Sequence, residues 1–166
     1  MIIVIILSFI LEGIVTNIIN SNSYLLPLFT ITSLVITYPY FDKEKKVRFI
    51  IISIIIGILY DIAYTNSLFI NTFTFTICAL LIIILDNYIP DNFFNRNGIN
   101  IIMIILFKTI SYILLFIFRF INFNQNILIK GIYSSLILNI IYSIILYFVC
   151  DRIHIKINNK KRSNQY

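Results

Sequence analysis

The chain has 166 residues, 60% of them hydrophobic and 12% charged, with mean hydropathy +0.95 and a formal net charge of +6. A soluble domain carries about 25% charged residues, so this composition excludes one. A bilayer-spanning helix needs about 20 mainly apolar residues; the length therefore holds about six spans joined by short turns. The expected fold is an all-α integral membrane protein, a compact bundle of about six transmembrane helices, with no room for a second folded domain.

In chain order, apolar stretches fall at residues 2 to 19, 24 to 41, 47 to 63, 68 to 86, 99 to 120 and 127 to 150. The first reads as a mature transmembrane helix rather than a signal peptide, because Met1-Ile2-Ile3 offers no basic start and Glu12 interrupts the apolar run. Polar or turn-forming connectors follow at Asn20 to Ser23, Asp42 to Lys46, Tyr64 to Ser67, Asn87 to Gly98 and Asn122 to Asn126. A transmembrane domain over 1–150 and a short basic tail over 151–166 result. Trp is absent, so tyrosines such as Tyr24, Tyr38, Tyr40, Tyr64 and Tyr88 are expected to form the interfacial aromatic belt. Cys78 and Cys150 fall within or at the end of spans and are expected to be free thiols.

Basic residues orient the bundle. Lys43, Lys45, Lys46, Arg48, Arg96, Arg152, Lys156, Lys160, Lys161 and Arg162 all fall on one side if six helices alternate, and Arg119 falls on the other. Lys and Arg concentrate on the cytoplasmic side, so both termini are expected in the cytoplasm.

Small and polar residues inside spans recur at helical spacing: Ser8, Glu12 and Thr16; Ser53, Gly57 and Asp61; Thr72 and Thr76; Gly131, Ser135, Asn139 and Ser143. In lipid, helices meet through such stripes, because close backbone approach and interhelical hydrogen bonds replace the hydrophobic drive. Glu12 and Lys108 are the deep charges, and one at a helix centre costs roughly 2.5 to 3.5 kcal/mol on insertion scales. Their similar depths predict an ion pair between the first and fifth helices.

Membrane enzymes carry clustered nucleophiles, acids or metal ligands. His154 is the single histidine and lies in the basic tail, and there is no Gly-x-Ser-x-Gly elbow. Asp86 and Asp91 read as a solvated turn rather than a cation site. Asp61 and Asp86 fall near opposite membrane faces, too far apart for a two-aspartate peptidase. No enzymatic activity, cofactor, metal or nucleic-acid partner is expected.

One segment carries a family likeness. Gly57-Ile58-Leu59-Tyr60-Asp61 at the end of the third span is followed by a short turn and then Leu68-Phe69-Ile70-Asn71. This resembles the MreD family's signature, a Gly-x-x-x-Asp at a helix end followed by a Leu-Gly-Leu-Asn-like entry into the next helix, with Phe69 standing where that family usually has glycine. Length, the early Pro27, the basic second loop and the basic tail fit the same family. Gly57 is expected to permit close helix approach, and Asp61 to cap the next helix across the turn.

The resemblance implies a non-enzymatic scaffold in the bacterial cytoplasmic membrane. It would bind MreC and, through it, help couple MreB filaments to RodA and a class B penicillin-binding transpeptidase in side-wall peptidoglycan synthesis. Glu12, Gly57, Asp61, Asn71, Lys108 and Asn139 are the candidate partner-binding or structural residues. The alternative reading is a substrate-binding S component of an energy-coupling-factor vitamin transporter, similar in size and helix count. The Ala-x-x-x-Ala by which those proteins dock has only Ser8 and Glu12 at the corresponding spacing here.

Overall fold

The computed structural model describes residues 1–19, 27–41, 46–65, 69–122 and 124–163. The connector at 20 to 23, Tyr24, Lys43, Lys45 and the motif residues Asn66, Ser67 and Leu68 lie outside the described residues. So do the side chains of Lys160, Lys161 and Arg162.

Among the described residues the regular structure is entirely helical. Helix α1 covers Ile2–Ile18, and α2 covers Phe29–Thr37 and runs on into a 3-10 turn over Tyr38–Tyr40. Helix α3 covers Lys46–Tyr60 and ends in a π-helical turn, Asp61–Thr65. Helices α4, α5 and α6 cover Ile70–Tyr88, Phe93–Ile117 and Gln125–Ser163. Four helices, α3 with its turn, α4, α5 and α6, are long and apolar enough to cross a membrane, and α1 is a shorter apolar helix.

The second apolar stretch takes an unexpected form. Its helical part, α2, has nine residues and every one is buried. At 1.5 Å per residue it rises about 13 Å. It sits at the centre of the bundle, packed against α1, α4, α5 and α6. Thr30, Thr32, Ser33 and Thr37 give it a polar, close-packing surface on several sides, which suits a helix surrounded by other helices rather than by lipid.

Two other boundaries differ from expectation. Helix α5 begins at Phe93, six residues before the apolar stretch at 99, and α6 continues through Ser163 instead of ending at 150. Hydropathy reports what a helix faces, not where its hydrogen bonds stop; Asn95, Arg96 and Asn97 are polar but helical. Pro90 and the extended Asn92 mark where α5 begins.

The bundle is more apolar outside than inside. Isoleucines such as Ile3, Ile6 and Ile10 on α1 and Ile137 and Ile141 on α6 are exposed, while Ser8, Glu12, Ser135, Asn139 and Ser143 are buried. A lipid solvent explains this: apolar side chains gain nothing by leaving it, whereas polar ones gain partners inside. Aromatic rings fill the centre, with Phe75 against Phe107 at 5.0 Å and against Tyr60 at 5.4 Å.

The start of α1 and the middle of α6 share one end of the bundle, where Met1, Tyr40 and Tyr147 pack around Cys150. Phe49, near the start of α3, meets Tyr38 and Phe41 there. Asp61 and Asp86 lie at opposite ends of α4, as their spacing implied. Cys78 and Cys150 are buried free thiols.

Candidate functional site

A helix that starts inside a membrane bundle exposes its first N–H groups where no water can satisfy them. Helix α2 starts in this way, and residues from two other helices meet its amides. Asn139 on α6 accepts the Leu28 N–H at Oδ1 (2.8 Å), and its own amide is anchored to the Ser135 carbonyl at 2.5 Å. Glu12 on α1 accepts the Thr30 N–H at Oε2 (2.9 Å) and the Thr30 hydroxyl at the same oxygen (2.5 Å). A carboxylate there also opposes the positive end of the α2 dipole.

The other carboxylate oxygen of Glu12 accepts the Tyr60 hydroxyl at 2.7 Å. Tyr60 ends α3, and its chain neighbour Asp61 builds a second cap. Asp61 Oδ1 accepts the Asn71 N–H (2.9 Å) and side-chain amide (3.0 Å), while Oδ2 accepts the Thr72 N–H (2.9 Å) and hydroxyl (2.7 Å). The first turn of α4 is thereby tied to the end of α3, as the motif predicted. Residues 60 and 61 join the two caps through one stretch of backbone.

Gly57 brings the partners of the second cap within reach. A Cβ on Gly57 would lie 2.5 Å from Thr72 Cα and 3.1 Å from Thr72 N, both backbone atoms. Only glycine lets α3 approach the start of α4 this closely. Phe69, immediately before α4, has φ 67° and ψ 0°, the left-handed conformation that glycine adopts without steric cost. Phe69 thus holds, at the entry to α4, a conformation for which glycine is the usual residue.

The predicted Glu12–Lys108 ion pair is not formed. Lys108 is close enough for its charge to act on Glu12, but the ion pairs among the described residues are made by Arg96 with Asp86 and Asp91. Comparing helix depths identified two charges at one level but not the amides of α2, which take the carboxylate first. Thr30 and Tyr60, which sequence reasoning missed, are the actual partners. The run of hydroxyls at Thr30, Thr32, Ser33 and Thr37 inside the second apolar stretch was the available signal for Thr30.

Other parts of the stripes divide. Ser8 bonds the Tyr142 hydroxyl at 2.7 Å and Ser143 donates to Asn97 at 2.5 Å, so both join helices. Thr16 is exposed and returns its hydroxyl to its own helix at the Glu12 carbonyl. Gly131 faces open space. Tyr64 reaches α1 and donates to the Phe9 carbonyl at 2.8 Å, passing over Gly13 where a side chain would collide with its ring.

Asp86 and Asp91 flank an exposed turn, as expected, but they also hold a buried cation. They clamp Arg96, which is 2% exposed: Nη2 bonds Asp86 Oδ1, and Nε bonds Asp91 Oδ1 at 2.6 Å. Burying a guanidinium demands such carboxylate partners, and the spacing Asp-x4-Asp-x4-Arg across a helix break was the available signal. Among the described residues no three His, Cys, Asp or Glu side chains come together as a metal-binding group.

The model of the family described as rod shape-determining protein MreD matches residues 1–153. The chain belongs to the MreD family. Neither a curated protein nor a solved structure matches it. Membership makes it a rod shape-determining membrane protein, of a family that is structural and not known for enzymes. The Gly57, Asp61 and Asn71 constellation that carried the resemblance is also a closely packed junction in which Asp61 accepts four hydrogen bonds from Asn71 and Thr72.

Proposed function

We propose that this MreD-family chain is a non-enzymatic scaffold of the bacterial cytoplasmic membrane, with both termini in the cytoplasm, that binds MreC and so supports side-wall peptidoglycan synthesis. MreB filaments, RodA and a class B penicillin-binding transpeptidase are the indirect partners. One observation carries this reading: the family match spans residues 1–153, and the residues of the family-like motif fold into the linked caps at Glu12 and Asp61. The buried polar groups at these caps bond one another, which suits a rigid platform that presents helix surfaces to partner helices.

Depleting the protein from rod-shaped cells should turn them round, and purification in mild detergent should recover MreC with it. Normal shape combined with a vitamin-specific growth defect would overturn the scaffold reading.

A further inference from the structure

We propose that the end of the bundle around Arg96 carries a docking cleft for a basic peptide, the positively charged segment flanking a partner's transmembrane helix, received through a lysine or arginine side chain. The cleft has a volume of about 460 Å³, and Tyr38, Pro39, Asp86, Tyr88, Asp91 and Arg96 are among its walls. It rests on the scaffold reading only in supposing that a partner protein exists.

The guanidinium lies between two aspartates that both line the cleft, and Arg96 lines it too. Nε and Nη2 are used, but the buried Nη1 has no hydrogen-bond partner. A guanidinium has five N–H donors, so Arg96 keeps donors for one further acceptor, which a peptide carbonyl supplies. A buried donor left unmet is costly and marks a place where a partner atom belongs.

Charge selects the rest of the ligand. Asp86 and Asp91 each bind Arg96 through Oδ1, and no bond to either Oδ2 is seen among the described residues. Two carboxylates facing one guanidinium leave a negative surplus. Among the residues that line the cleft, Asp86 and Asp91 outnumber the single cation Arg96. Two of the seven acidic residues of a chain with net charge +6 thus line one cleft. Such a site repels an anionic lipid headgroup and attracts a cation. Tyr88, 82% exposed, offers a ring face to that cation.

Location supports the same occupant. The cleft is at the bundle end shared by Met1 and Cys150, to which the orientation rule assigns the cytoplasm. The same rule places basic residues beside a partner's helix at that membrane face.

The test is fluorescence anisotropy with a fluorescein-labelled Lys-Arg-Lys-Lys amide and the full-length protein in neutral detergent micelles. Saturable, salt-sensitive binding is expected, weakened at least tenfold in Asp91→Asn and unchanged in Arg119→Gln at the opposite end; a Glu-Asp-Glu-Glu peptide should not bind. Asp91 is half-exposed but also one of the two carboxylates that hold the buried Arg96, while Asp86 stays in place; gel filtration and an SDS-unfolding midpoint matching wild type establish that Asp91→Asn keeps the fold before its affinity is compared. Equal affinity in Asp91→Asn, preference for the acidic peptide, or no binding would overturn the proposal. Binding that emerges only when Lys43 and Lys45 are both changed to Gln would overturn it as well, because the chain's own loop would then fill the cleft. The assay uses isolated protein, so it can fail while the cell-shape result stands, and the converse holds.

Discussion

The Tyr60 hydroxyl donates to Glu12 Oε1 at 2.7 Å, joining the end of α3 to a carboxylate on α1 whose other oxygen caps α2. Three helices therefore meet at one side chain. Substituting Tyr60→Phe removes one hydrogen bond to a charged group, worth about 1.5 to 3 kcal/mol, without changing ring packing. Glu12→Leu should cost more, because it leaves the Thr30 amide and the Tyr60 hydroxyl unmet together, while Glu12→Gln keeps an acceptor and should fall between wild type and Glu12→Leu. Unfolding of each variant in mixed micelles by added SDS gives the ranking. A Glu12→Leu variant as stable as wild type would show that the cap contributes nothing.

Lys108 makes a separable prediction. Since Glu12 is held by Thr30 and Tyr60, Lys108→Met should not strand it. The double variant Glu12→Gln/Lys108→Met should show nearly additive losses, with a coupling below about 1 kcal/mol. Recovery of wild-type stability in the double variant would restore the direct ion pair that the helix depths suggested.

At the second cap, Asp61 receives four donors, two at each oxygen. Asparagine would keep one acceptor and turn an NH2 group toward two of the donors. Asp61→Asn should lower stability by about 2 kcal/mol, and hydrogen exchange of the first α4 amides, Asn71 and Thr72, should speed up selectively. Unchanged exchange at those amides would contradict the cap.

Gly57 and Phe69 should respond in opposite directions. Gly57→Ala forces apart backbones that a Cβ would meet at 2.5 Å, so the protein should accumulate less in membranes, and Gly57→Leu should be worse. Phe69→Gly relieves a left-handed residue that is 66% exposed and should raise stability by about 1 kcal/mol. Thermal aggregation midpoints in detergent report both. A stabilising Gly57→Ala or a strongly destabilising Phe69→Gly would refute this account of the turn.

Composition and periodicity were enough to establish an all-helical membrane bundle, the long apolar helices and the seam through Ser53, Gly57 and Asp61, and the family-like motif gave the capping role of Asp61. Those features are local: lipid demands long apolar runs, and a glycine and a carboxylate four residues apart before a turn act on the next element along the chain. Partners drawn from distant elements could not be read in the same way. Glu12 is 18 residues from Thr30 and 48 from Tyr60, and Asn139 is 111 from Leu28; which donors they meet depends on α2 starting inside the bundle. The burial of Arg96 between Asp86 and Asp91 depends likewise on where α4 ends and α5 begins. A buried charge takes whichever opposite partner or unpaired amide the packed helices bring within about 3 Å, and packing, not spacing along the chain, sets that choice.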